Sequence, residues 1–381
     1  MKTPQKTKTE QKTSYAAALV PHNARNFASL QGQRKCIRKN QGYGVLVAAA
    51  FTLGAATARD AAAVGTDYLT DPTLMVKVGD AGNAADGTGY GAVSYEYQIG
   101  KYEVTNAQYA AFLNAVDSTG ANTLALYNSN MNSNAYGGIT WSGTAYVVKT
   151  GYELKPVNYV SFYDAMRFTN WLTTGGTETG VYNLLGGTAE PSNGTTVTRT
   201  LDEIPGTLWA VASEDEWYKA AYYNDVGTYR QYPVTGTPVS GTNENGGTAN
   251  YWDNDSYAFS NGSLGNGDRI ADVNHYDLVS GADSFYGTYQ QGGNVWEWND
   301  TIMNGTARGL RGGAFLSSGD NLASLARPNF DPANEDLKLG FRIVSLSSLA
   351  AVPEPGTYAA AMGLLILVIA MWARRSRRTR A

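Results

Sequence analysis

Gly292-Gly-Asn-Val-Trp-Glu-Trp-Asn299 sets two tryptophans around one glutamate, directly after a glycine pair. The glycines permit positive φ or close backbone approach, and Trp296 and Trp298 are large core anchors whose indole N–H groups need acceptors. Glu297, between them, reads as a structural acceptor for buried backbone or arginine donors, because a carboxylate removed from water must be paired. Gly309-Leu-Arg-Gly-Gly-Ala-Phe315 and Leu339-Gly-Phe-Arg-Ile-Val344 follow. Gly312 and Gly313 carry the same backbone freedom, and the alternation in the last block predicts a closing strand.

Upstream, the pattern predicts three strand or loop segments that each feed a capped helix. Tyr95 to Val104 alternates as a strand does, after which Thr105 or Asn106 caps a helix over Ala107 to Val116 with Tyr109, Phe112 and Leu113 on its core face. Ser161 caps a helix from Phe162 to Leu172, with Asp164 near the positive dipole end and Phe168, Trp171 and Leu172 as the buried stripe. Ser213-Glu-Asp-Glu216 is a capping box ahead of a short amphipathic helix over Trp217 to Tyr223. From Gly227 to Tyr289 the chain is dense in Gly, Asn, Asp, Ser and Thr and reads as loop. Two readings of its Asn250, Asp253, Asp255, Asp268 and Asp272 stay open, Ca²⁺ ligands or turn-forming Asx residues, and no EF-hand pattern is present.

The 381 residues include 43 Gly, 26 Tyr and 8 Trp, a loop-rich, aromatic-packed composition rather than that of a helical bundle. Of the 29 basic residues, 14 lie in the two ends, with Glu10 and Glu354 their only acids out of 33, so the middle has 15 basic and 31 acidic residues, about −16. No concentrated basic face remains for phosphate, and no nucleic-acid partner is expected. The single cysteine, Cys36, and His22 both lie near the N-terminus. That leaves the middle without a thiol and with His275 as its histidine, which excludes Cys-based or His-rich metal sites.

Both basic clusters flank apolar runs. Residues 1–58 read as a secretory signal with an extended basic n-region, an apolar run from Tyr43 to Leu53 and small residues at Ala56-Thr-Ala58. A segment at 59–71 then leads into a domain at 72–346 and a linker at 347–352. Thr357 to Ala373 is uncharged and near the lower limit for a transmembrane helix, and the arginines after it belong on the cytoplasmic side, so the middle is expected outside the cytoplasm. Residues 353–381, with Pro353, Glu354 and Pro355, then the apolar run, then Arg374 to Arg378, resemble a PEP-CTERM sorting signal. That resemblance implies an exosortase-type protease as partner, insertion in the inner membrane through 357–373 before processing, and a final place at the cell surface or in the extracellular matrix.

The blocks of the middle also resemble, in order, the formylglycine-generating enzyme (sulfatase-modifying factor) family. The matching residues are Gly100 to Asn106, Pro156-Val with Ser161, Glu214 to Trp217 with Ala220-Ala221, Gly293 to Trp298 including Asn294, Trp296, Glu297 and Trp298, then Arg311-Gly312-Gly313 and Gly340-Phe341-Arg342. The resemblance implies a single α+β domain of the C-type-lectin-like type, with little regular secondary structure, flanked by a signal helix and a C-terminal transmembrane helix. It also implies structural Ca²⁺, at one site through Gln290, Gln291, Gly293 and Val295 and at a second through Asn250 and Tyr251. Active members bind copper through two cysteines shortly after the Gly-Gly pair, where this chain has Ser317 and Leu322. A hydroxyl and an aliphatic side chain do not replace two soft thiolates, so neither copper nor formylglycine formation is expected. The expectation is an exported binding or structural module, with an extracellular polysaccharide or a protein as ligand. Catalysis by another mechanism would be marked by Asp215, Glu216 or Asp320 meeting Arg311, Arg327 or Arg342 in a cleft.

Overall fold

The computed structural model describes Tyr68, residues 71–201, 206–224, 226–242, 246–253, Ala258 and 269–347. The expected signal sequence at 1–58 and the sorting signal at 353–381 lie outside these residues, as do Asp255 and Asp268. Among the described residues no helix is long and apolar enough to cross a membrane.

In chain order come β1 (Met75–Val78), β2 (Tyr97–Gly100), α1 (Asn106–Val116), α2 (Asn130–Ser133), β3 (Ile139–Trp141), β4 (Tyr146–Val148) and α3 (Phe162–Thr174). They are followed by β5 (Thr207–Val211), α4 (Glu214–Tyr222), β6 (Trp296–Met303), β7 (Ala307–Arg311), β8 (Asn329–Phe330), β9 (Leu339–Phe341) and β10 (Ile343–Ser347). One antiparallel sheet has the order β1-β2-β10-β5; a second has β8-β7-β6-β9 with β6 and β9 parallel; β3 and β4 form a small hairpin.

The three main helices begin where side-chain chemistry dictates. Thr105, Ser161 and Ser213 each accept from the N–H three residues on, at 3.2, 3.1 and 3.2 Å. Gln108, Asp164 and Glu216 return the bond to the cap's own N–H at 2.8, 2.8 and 2.7 Å, so two orphan donors are satisfied at each start. α3 ends on Gly175 at φ 81°, a left-handed cap open to glycine without steric cost.

Two strand expectations are corrected in extent. The strand expected from Tyr95 to Val104 is regular only over Tyr97–Gly100, because Lys101 N turns to Leu74 O at 2.7 Å and Val104 N to Phe341 O at 3.0 Å. The closing strand divides into β9 and β10, which belong to different sheets, with Arg342 at the crossing.

The core gathers between these sheets and helices. Tyr109 and Phe112 of α1, Phe168 of α3 and Phe341 of β9 are buried with ring centroids 5.4 to 6.5 Å apart, in tilted and edge contacts and one stacked pair, Tyr109 with Phe168. Trp298 is fully buried and donates its indole N–H to Val160 O at 3.0 Å. Between Gly227 and Tyr289 the described residues make isolated bridges but no strand or helix, as a Gly- and Asx-rich composition predicts.

Candidate functional site

Glu297 lies on β6 opposite Gly340 of β9 and Arg311 of β7, with no exposed surface. Its Oε2 accepts from the Trp217 indole at 2.7 Å and from Arg342 Nε at 3.0 Å, and its Oε1 accepts from Arg342 Nη2 at 3.0 Å. Two further Arg342 donors go to Gly100 O at 2.7 Å and Tyr289 O at 2.8 Å. The blocks holding Gly100, Trp217, Glu297 and Arg342 are thereby tied to one another by charge-assisted bonds.

The glycines set the approach of the neighbouring backbones. Gly293, at φ 91°, donates to Gly312 O at 2.8 Å, and a Cβ on it would stand 2.3 Å from Asn250 O. Gly312, at φ 100°, lies against the Gln291 carbonyl, which a Cβ would meet at 2.7 Å. No side chain fits at either position.

Asn250 pairs with Gly293 in a parallel bridge, which brings the two expected Ca²⁺ ligand sets side by side. Asn250 O accepts from Asn294 N at 2.7 Å, and Tyr251 O accepts from Ser240 Oγ at 2.5 Å. Asn294, at φ 59°, accepts from Asn250 Nδ2 and from Ala271 N, both at 3.0 Å, and donates to Glu103 Oε1 at 3.0 Å. Gln291 donates to Trp217 O at 3.1 Å and accepts from Thr288 Oγ1; Val295 is fully buried. Gln290 donates to Asp272 O at 2.7 Å, while its Oε1 is buried without a hydrogen-bond partner. Among the described residues no three His, Cys, Asp or Glu side chains are grouped to hold a metal ion.

The carboxylates and arginines considered for catalysis go to separate partners. Glu214 is clamped by Arg311 at 2.7 Å and Arg327 at 2.6 Å, with both guanidinium groups against the Tyr90 ring at 5.1 and 4.8 Å. Glu216 pairs with Arg199 at 2.8 Å, Asp215 accepts from Gly91 N at 2.8 Å, and Asp320 is exposed in a single 3-10 turn. Among the described residues Asp215 and Glu216 hydrogen-bond to partners other than Arg311, Arg327 and Arg342.

Of the two residues expected where the family's copper ligands fall, Ser317 Oγ accepts from Ala314 N at 3.1 Å, and Leu322 is fully buried in a small apolar cluster with Ala249 and Tyr251. Two acidic groups had no signal in the sequence. Glu103 is wholly buried, and burial pushes its carboxyl up to about 8 against the pull of Arg342. Glu335 hydrogen-bonds Asp164 beside a cavity of about 150 Å³, and burial followed by repulsion from Asp164 lifts Glu335 to about 8; burial lifts Asp164 to about 6. Glu103 lies within the Gly100 to Asn106 block with nothing local to mark it as buried, and Glu335 in a stretch with no periodicity, so only the tertiary fold exposes their chemistry.

Among curated proteins nothing matches this chain. Among solved structures it is similar to Treponema denticola variable protein 1, at 20% identity over 71% of this chain and 94% of that one with a TM-score of 0.44. It is also similar to CarF, at 20% identity over 71% and 97% with a TM-score of 0.47, and to PvdO from Pseudomonas aeruginosa, at 15% over 71% and 93% with a TM-score of 0.37. The Sulfatase-modifying factor enzyme 1-like domain matches residues 69–346. A match over most of the chain, on blocks that converge around Glu297 and Arg342, places this protein in the sulfatase-modifying factor family.

Proposed function

We propose that this chain is an exported, surface- or matrix-associated protein whose family domain serves as a non-catalytic ligand-binding or structural module, delivered by an exosortase-type protease acting at Pro353-Glu-Pro355. The observation that carries the non-catalytic reading is the pair Ser317 and Leu322. Leu322 packs against Ala249 and Tyr251, so a thiolate pair for Cu(I) is replaced by a hydroxyl and an apolar contact. The donor set does not fit copper.

Purified protein incubated with copper, oxygen and a sulfatase-type cysteine peptide is expected to leave the peptide unchanged by mass spectrometry. Aldehyde formed at enzymatic rates would overturn the reading. For delivery, cells with the sorting protease should yield a surface or matrix form lacking residues after the Pro-Glu-Pro motif, and cells without it an intact C-terminus. An uncut chain in the cytoplasm of both would refute export.

A structural Ca²⁺ is part of the same proposal. The buried Oε1 of Gln290, which has no hydrogen-bond partner, is the oxygen that supports it. Calcium should then raise the thermal midpoint by several degrees over EDTA-treated protein, and identical midpoints would remove the ion. The ligand of the module is expected among extracellular polysaccharides or proteins; glycan arrays and matrix pull-downs, blank in the presence of Ca²⁺, would eliminate the polysaccharide.

A further inference from the structure

A second cavity, of about 140 Å³, has Tyr68, Tyr102, Leu154 and Val273 on its apolar side and Glu103 and Gln108 among its polar groups. The Gln108 Oε1 is already satisfied, accepting from Thr105 N at 2.8 Å and from the Tyr68 hydroxyl at 3.2 Å. Glu103 is not. Its Oε1 accepts from Asn294 Nδ2 at 3.0 Å, but its Oε2, fully buried, has no hydrogen-bond partner. Arg342 Nη2 lies 4.0 Å from that oxygen, yet its two N–H groups go to Glu297 and Tyr289. One guanidinium therefore faces two buried carboxyl groups; Glu103, which burial holds protonated up to about pH 8, releases that proton when a second cation takes its place.

We propose that this cavity binds a small organic ammonium ion, which donates to Glu103 Oε2 and lays its alkyl part among Tyr68, Tyr102, Leu154 and Val273. An ammonium supplies both things the site lacks, a positive charge and a donor, and tyrosine faces attract cations. A neutral alcohol supplies the donor without the charge. The volume suits about six non-hydrogen atoms, since a cavity of about 150 Å³ takes benzene. The proposal is independent of export and of copper chemistry.

Calorimetric titration of the full chain with n-butylammonium chloride tests it, with 1-butanol as the neutral isostere. Saturable binding with a Kd on the order of 0.1–1 mM is expected for the cation, and at least tenfold weaker binding for the alcohol. Glu103→Gln should weaken the cation at least tenfold with the thermal midpoint checked in parallel. Leu154→Trp, at a side chain 39% exposed, should fill the cavity from its rim and abolish binding whether or not the first variant folds. No saturable heat with butylammonium, equal or tighter binding of 1-butanol, or undiminished binding in the Leu154→Trp variant or the folded Glu103→Gln variant would each overturn the proposal.

Discussion

Arg342 is fully buried and joins Glu297, Gly100 and Tyr289 in one place. Arg342→Met leaves Glu297 charged and unpaired in the core, a change that costs about 3–5 kcal/mol. The double variant Arg342→Met with Glu297→Leu removes both charges and should recover a good part of that loss in urea unfolding; equal losses would show that the pair is not the cause. The Asp164–Glu335 contact carries a pH dependence. Glu335 is lifted to about 8 in the fold from an ordinary 4.5, so its contribution is complete below pH 4.5 and is lost as pH rises through 8. The thermal midpoint should fall between pH 5 and 9, and Glu335→Gln should flatten that fall. An unchanged slope in the variant would assign it to another group. The role of Glu297 as an acceptor follows from its two tryptophan neighbours in sequence, whereas Glu103 and Glu335 carry no such mark, because what shifts them is burial by residues far along the chain.

At the level of single elements, the helix starts were the most legible part of the fold. Thr105, Ser161 and Ser213 are short hydroxyl side chains placed three residues before a return acceptor, and each opens a helix at the next residue. Ser161→Ala should cost about 0.5–2 kcal/mol, measured by chemical denaturation, and its effect should exceed that of an exposed serine such as Ser142. The strands were harder to read. β1, β3 and β4 are only 4, 3 and 3 residues long, too short to display alternation, and β6 holds glutamate and tryptophan side by side. The split between β9 and β10 had no local cue either, since the alternation runs on unbroken through Arg342 while the hydrogen bonds change sheets.

Over the whole molecule, order in the sequence does not match order in space. β10, the last described strand, lies between β2 and β5 in the first sheet, although β5 ends more than 130 positions earlier in the chain. Ending the chain at Phe341 should leave no cooperative unfolding transition, because two inner strand edges lose their partner; a folded truncated domain would contradict this. The arrangement also has a kinetic consequence. While the polypeptide is being synthesised, the central seam of that sheet stays open until its final segment emerges, so the earlier strands present sticky apolar faces throughout. Such a topology folds slowly and late.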